Sequence, residues 1–263
     1  MKENIARLYD KHSIKLNPLV QAIIKSVKKG HKVIDLGCGS GEYIHLLEKQ
    51  VGNNGLVTGV DINNEMIKFC NKKFKKRNIL FIRMPAEKLS SMKEKADVVF
   101  SSLVLHFTNA EKTMAEIKKS LKPNGKLIFA VPLYRSGLEI FDNEESKKFK
   151  SKFIINLKNE FKKNNIAPKI SLDYANSREK FFKKLIQKNK FKIVSWKIAS
   201  LEKANLKVLL EYFKIPWRSE KISGIQFSIR YKVLKSALEN TFKDYPDFKS
   251  NRYYLVGTVS KNN

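Results

Sequence analysis

Short apolar runs and longer amphipathic stretches take turns along the first half of this chain. The run holding Val33, Ile34 and Leu36 reads as a buried strand, and further strands are predicted over 55–61, Ile79–Arg83, Ala96–Ser102 and Leu127–Val131. Between them, apolar residues recur at helical spacing and predict helices over 42–50 (Tyr43, Ile44, Leu46, Leu47), 64–76 and 109–121. A helix over 18–29, opened by Pro18, precedes the first strand. Beyond Pro132 the pattern is more charged: helical pieces within 143–164, a helix over 174–189, a strand Phe191–Ser195 and a last strand Tyr253–Val259. Two amphipathic helical patterns, around 203–214 and 224–240, lie between those strands. Strands alternating with helices predict an α/β fold with a doubly wound, mostly parallel sheet.

The first strand breaks into Gly37-Cys38-Gly39-Ser40-Gly41, three glycines at alternate positions before a helix. Strand, glycine turn and helix form the layout of a nucleotide site at the end of such a sheet. The dinucleotide fingerprint needs its third glycine one residue later, where this chain has Glu42. Asp35, just before the turn, would oppose a pyrophosphate at the helix N-terminus and suits a ligand with an ammonium and hydroxyls. Asp61, at the end of the second strand, has the spacing of a carboxylate that accepts both ribose hydroxyls.

Val33–Gly41 (VIDLGCGSG) followed by Gly59–Asn63 (GVDIN) resembles the Rossmann-like, class I S-adenosylmethionine-dependent methyltransferases. The resemblance covers the first half of the chain well and the remainder in layout. It implies one domain over 1–263 with a seven-stranded sheet in the order 3-2-1-4-5-7-6, the last strand antiparallel. Residues 1–17 would be a lid, 18–133 the cofactor-binding core, and 134–263 the remaining core plus a helical substrate cap at about 200–250. The implied cofactor is S-adenosyl-L-methionine, leaving as S-adenosyl-L-homocysteine. Asp35, Gly37, Cys38, Gly39 and Gly41 would hold its amino-acid end together with the Ser101 carbonyl, Asp61 its ribose, and Ile62 and Met66 its adenine. Family members often carry an Asp where this chain has Pro85, so the Ala86 backbone or the Glu87 side chain would have to replace it. His106, in a Leu-His-Phe sequence after the fourth strand, is a candidate to orient or deprotonate an acceptor, or a structural histidine of that turn. Tyr9 is the lid candidate, or a surface-helix residue packed on the core.

Composition changes this picture in one respect. The formal charge of +28 over 263 residues would attract nucleic acid, anionic lipid or an acidic protein. Lys far outnumbers Arg and is spread along the chain, as codon bias would give. The two cysteines, Cys38 and Cys70, read as reduced thiols of a cytosolic protein. No apolar stretch is long enough for a membrane span and the first residues lack a signal-peptide core, so a cytoplasmic location is expected. His12, His31, His45 and His106 show no metal-ligand spacing, and no metal is expected.

Three function classes follow. The first is a methyltransferase for a small-molecule acceptor, oxygen of a carboxylate or hydroxyl before nitrogen or carbon, with an acyl-carrier-protein thioester as a variant that would use the basic surface. The second is an RNA or DNA methyltransferase, motivated by the charge, although Ser101-Ser102-Leu103-Val104 lacks the Asp/Asn-Pro-Pro-aromatic sequence of base-amine enzymes. The third is a non-catalytic cofactor-binding protein. Oligomeric state is not legible.

Overall fold

The computed structural model describes residues 5–11, 16–133, 144–167, 169–170, 178–214, 222–223, 225–248 and 250–261. Helices α1 (Ile5–Lys11) and α2 (Asn17–Ser26) lead into β1 (Lys32–Leu36), α3 (Ile44–Val51), β2 (Leu56–Asp61), α4 (Asn64–Lys73) and β3 (Ile79–Arg83). Next come β4 (Ala96–Ser102), α5 (Ala110–Ser120), β5 (Leu121–Pro132), α6 (Glu144–Lys163), β6 (Lys169–Ile170), α7 (Arg178–Lys188) and β7 (Phe191–Ala204). The last elements are α8 (Leu206–Phe213), β8 (Ile222–Ser223), α9 (Phe227–Asp244) and β9 (Ser250–Lys261).

Seven strands form one sheet in the order β3-β2-β1-β4-β5-β9-β7, which is 3-2-1-4-5-7-6 when only its own strands are counted. β1 pairs parallel with β2 and β4, placing Asp35 beside Gly59 on one side and Phe100 on the other. β9 runs antiparallel to β5, with Gly257 opposite Phe129. The central strands are apolar on both faces because helices cover both: Val33, Ile34, Leu36, Val98, Val99, Phe100 and Leu127–Val131 are all buried.

Several elements differ from the pattern-based expectation. The Lys122–Gly125 turn lies inside β5 as a bulge, where the register jumps from Ala96↔Leu121 to Val98↔Lys126 and Asn124 takes a left-handed φ of 58°. β7 continues to Ala204, well past Ser195. A small antiparallel pair, β6 with β8, is not signalled by any apolar alternation, since two residues carry no period.

The chain divides into two compact units. The first holds Met1–Leu133, Ser177–Ala199 and Tyr254–Asn263. The second holds Tyr134–Asn176 and Ser200–Tyr253, so the expected cap segment shares its unit with α6. On α6, Phe149, Phe153, Leu157 and Phe161 recur every fourth residue and make one buried stripe, packed with Leu209 and Phe213 of α8 and Val233, Leu234, Ala237 and Leu238 of α9. Phe149 stacks on Phe248 with centroids 3.8 Å apart. Trp217 and Arg218, within the 200–250 stretch expected to form the cap, lie outside the described residues. Among the described residues, no helix is long and apolar enough to cross a membrane.

Candidate active site

The end of β1 sets the site. Gly37, Gly39 and Gly41 all take left-handed φ (74°, 51° and 82°), which a residue with a Cβ adopts only under strain. The turn is stitched to β2: the N–H groups of Gly37 and Cys38 donate to Val60 O at 2.7 and 3.0 Å. At Gly37 and Gly41 the room a Cβ would need is used by protein side chains. A Cβ there would meet Val104 Cγ2 at 2.1 Å and Phe74 Cε2 at 2.4 Å.

Asp61 closes the turn from the β2 side. One oxygen accepts the Gly39 N–H at 2.9 Å and the other the Asn63 N–H at 2.8 Å. Asn63 in turn caps α4 by accepting from Glu65 N at 2.8 Å. The carboxylate has lone pairs beyond those two for a hydroxyl. Burial raises the Asp61 pKa, against the pull of these backbone donors.

Asp35 is 3% exposed and makes no hydrogen bond or ion pair with any described residue. Burial, and next the charge of Asp61, push its pKa up from 3.8 to about 8. A buried carboxylate with no cationic partner is costly by itself and is stabilised by a cation placed beside it. The native protein therefore binds a proton here that the unfolded chain does not, between pH about 4 and about 8, and this contribution to stability falls as pH rises through that window. The Asp35→Asn variant lacks it, so its melting temperature should gain on wild type between pH 5 and pH 8; a constant difference would mean that the carboxyl is solvated in solution.

The other expected residues distribute around this centre. Ser101, fully buried, donates its hydroxyl to Leu36 O at 3.1 Å and ties β4 to the end of β1. Ile62 is 66% exposed just past Asp61, whereas Met66 is buried on α4. Ala86 is buried after β3, and the Glu87 carboxylate accepts the Asn109 N–H at 2.8 Å, at the start of α5. That contact gives Glu87 a structural partner. Tyr9 belongs to α1, but its side chain lies outside the described residues.

Past β4 the backbone is strained. Leu103 holds φ 59° while its N–H donates to Ala130 O. His106 follows, its ring 4.0 Å from the exposed Phe107. Its Nδ1 is buried with no hydrogen-bond partner among the described residues, and burial followed by the Arg178 guanidinium lowers its pKa to about 3. The imidazole is thus neutral at physiological pH and presents an acceptor or a single N–H.

Several contributors carry no readable signal in the chain. Tyr43 is an apolar helix position in sequence, yet its hydroxyl oxygen accepts the Leu16 N–H at 2.9 Å and its ring lies 4.7 Å from Phe100. Burial pushes that hydroxyl up to about 12. Lys73 pairs with Asp10 of α1 at 2.7 Å and reaches Ser40 O at 3.4 Å. Both contacts join segments far apart in sequence, where no local pattern exists. Only the Asx cap at Asn63 is legible, from Asn63-Asn64-Glu65 before an amphipathic run.

Comparison with known proteins accords with this geometry. The family described as "Methyltransferase domain" matches residues 27–192, well over half of the chain. A ubiquinone/menaquinone biosynthesis C-methyltransferase UbiE of Wigglesworthia glossinidia brevipalpis is 34% identical over 139 residues, which are 50% of this chain and 55% of that protein. A demethylmenaquinone methyltransferase of Lactococcus lactis is 31% identical over 122 residues, 43% and 48% of the two chains. The chain thus spans about half the length of the curated relatives it matches. The crystal structure of a SAM-dependent methyltransferase from Aquifex aeolicus superposes with a TM-score of 0.51 at 18% identity, over 74% of this chain and 92% of that one, a likeness of fold. Glycine turn, ribose-type acid, strand order and family match converge: the chain belongs to the methyltransferase-domain family, of the class I, S-adenosylmethionine-dependent kind.

Proposed function

We propose that the protein transfers a methyl group from S-adenosylmethionine to a small molecule bearing an acidic oxygen, a carboxylate or an ionisable hydroxyl. The observation that carries this reading is the buried Asp35 carboxylate, unpaired among the described residues beside the glycine turn. When bound, the cofactor supplies a methyl group on a sulfonium together with an α-ammonium. Asp35 and the turn would hold the amino-acid end with the Ser101 carbonyl, Asp61 the ribose hydroxyls, and Ile62, Met66 and the backbone at Ala86 the adenine. Calorimetry with S-adenosylhomocysteine tests it. At pH 7 binding should release close to one proton, because Asp35 gives up its proton to face the ammonium, and Asp35→Asn should bind without that release. No binding by the wild type would end the enzymatic reading.

Displacement at a methyl carbon asks mainly for alignment and exclusion of water. His106 suits alignment. Neutral at pH 7, it is a weak base, so it holds an acceptor oxygen by a hydrogen bond while the acceptor brings its own acidity. Arg178, near enough to depress His106, favours an anionic acceptor on the same side. His106→Ala is expected to lower kcat by about ten- to a hundredfold, on the scale of one hydrogen bond to a charged group, with little change in S-adenosylhomocysteine affinity. The wild-type kcat profile should show no inflection between pH 5 and 8 from this group; normal turnover in the variant would make His106 a structural residue.

The names of the curated relatives favour a second reading, methylation of a ring carbon activated by an ionised hydroxyl on a quinone-type precursor. The two readings share the acidic oxygen and differ in the atom methylated. The methyl chemical shift of a carbon-13-labelled product separates them.

A further inference from the structure

The chain's two cysteines meet at the glycine turn. Cys70 of α4 donates its thiol to Gly39 O at 3.1 Å, and Cys38 Sγ lies 4.0 Å from the same carbonyl. Each sulfur thus lies within 4.0 Å of one and the same carbonyl oxygen. Each sulfur packs against a glycine: a Cβ on Gly59 would come within 3.0 Å of Cys38 Sγ, and one on Gly41 within 3.4 Å of Cys70 Sγ. Nothing in the proposed methyl transfer uses either sulfur. We infer that Cys38 and Cys70 form a reversible disulfide under hydroperoxide, pinning the glycine turn to α4 and disabling the site.

The chemistry balances with peroxide alone. One thiolate attacks a peroxide oxygen, the O–O bond breaks, and a sulfenic acid and water result. The second sulfur then displaces the sulfenic hydroxyl, forming the S–S bond and a second water, so two electrons leave the thiol pair and reduce one peroxide. Burial of both sulfurs makes the first step slow, so the pair responds to sustained oxidant. The geometry supplies the consequence. Bonding needs the sulfurs at about 2.05 Å, and drawing Cys38 to that distance turns the peptide between Cys38 and Gly39. That peptide carries the Gly39 N–H held by Asp61, and Gly39 carries the carbonyl held by Cys70.

The effect on ligand rests on the S-adenosylmethionine reading; the bond itself does not. The test treats the full-length reduced protein with hydrogen peroxide, alkylates it in denaturant and measures its intact mass. The monomer should lose about 2 Da, the two hydrogens of a disulfide, recover on reduction with a thiol, and resist alkylation at both cysteines. Cys70→Ser, which keeps a donor for Gly39 O, should show no such loss. Oxidised wild type should bind S-adenosylhomocysteine about tenfold more weakly or worse, and the ligand should slow the oxidation. Absence of the mass loss overturns the proposal. Mass loss with unchanged affinity overturns the switch while leaving the bond. Reduced protein that binds no S-adenosylhomocysteine defeats the functional reading alone, with the disulfide still judged by mass.

Discussion

Asp61→Ala is expected to weaken S-adenosylhomocysteine binding by roughly 1.5–3 kcal/mol, the scale of hydrogen bonds to a charged group, or about one to two powers of ten in Kd. Two losses combine. The variant removes the acceptor for ribose hydroxyls, and it strips Gly39 and Asn63 of the oxygens their N–H groups now use. The second loss also loosens the turn and the start of α4 without ligand, so the melting temperature should fall as well. Asp61→Asn separates the two: its remaining oxygen can serve one of the backbone donors, while a charged ribose partner is gone. Affinity unchanged in the alanine variant would mean that the sugar is held elsewhere. An affinity loss wholly explained by the drop in folded protein would make Asp61 a structural latch only.

Gly37→Ala should destabilise the fold strongly. The new Cβ would meet three atoms of Val104 at 2.1 to 2.8 Å, and Val104 is short and branched, so no flexible end can swing aside. The position also holds φ 74°, which disfavours alanine. Overpacking and left-handed strain together suggest about 2–5 kcal/mol. Val104 leads into His106, so the disturbance passes from the turn to the acceptor side. Urea denaturation should show a midpoint shift of that size together with loss of S-adenosylhomocysteine binding. A variant as stable as wild type would show that the segment after β4 relaxes freely. Gly30→Ala is the comparison: it too has positive φ, 78°, but nothing lies within 4 Å of a Cβ there, so it should carry strain without the clash.

How far the fold and the site are legible in the amino-acid sequence depends on the range of the interactions. β3 and β4 fall where the apolar runs place them, and α3, α4 and α5 lie within the predicted helices or overrun them by one residue, because burial against a sheet writes a local period. Asp35, the glycines and Asp61 are legible because a turn and a ribose site constrain residues at fixed spacing. The bulge at Lys122–Gly125 is visible as a turn but not as part of β5, since a pairing register belongs to two strands. Tyr43 with Leu16, Lys73 with Asp10, and Cys70 with Gly39 are not legible, each being a contact between distant segments. The Glu87 contact with Asn109 is hidden for the same reason.

The position of β9 between β5 and β7 bears on how the chain is made. Of the strands of this sheet it is the last to be synthesised, yet it takes an inner place. Until it arrives, β5 offers an open edge and β7, with Ile193, Val194 and Ile198 facing solvent even in the finished fold, has no neighbour in that sheet. Nascent chains stalled before residue 250 should therefore be the form that recruits chaperones or aggregates.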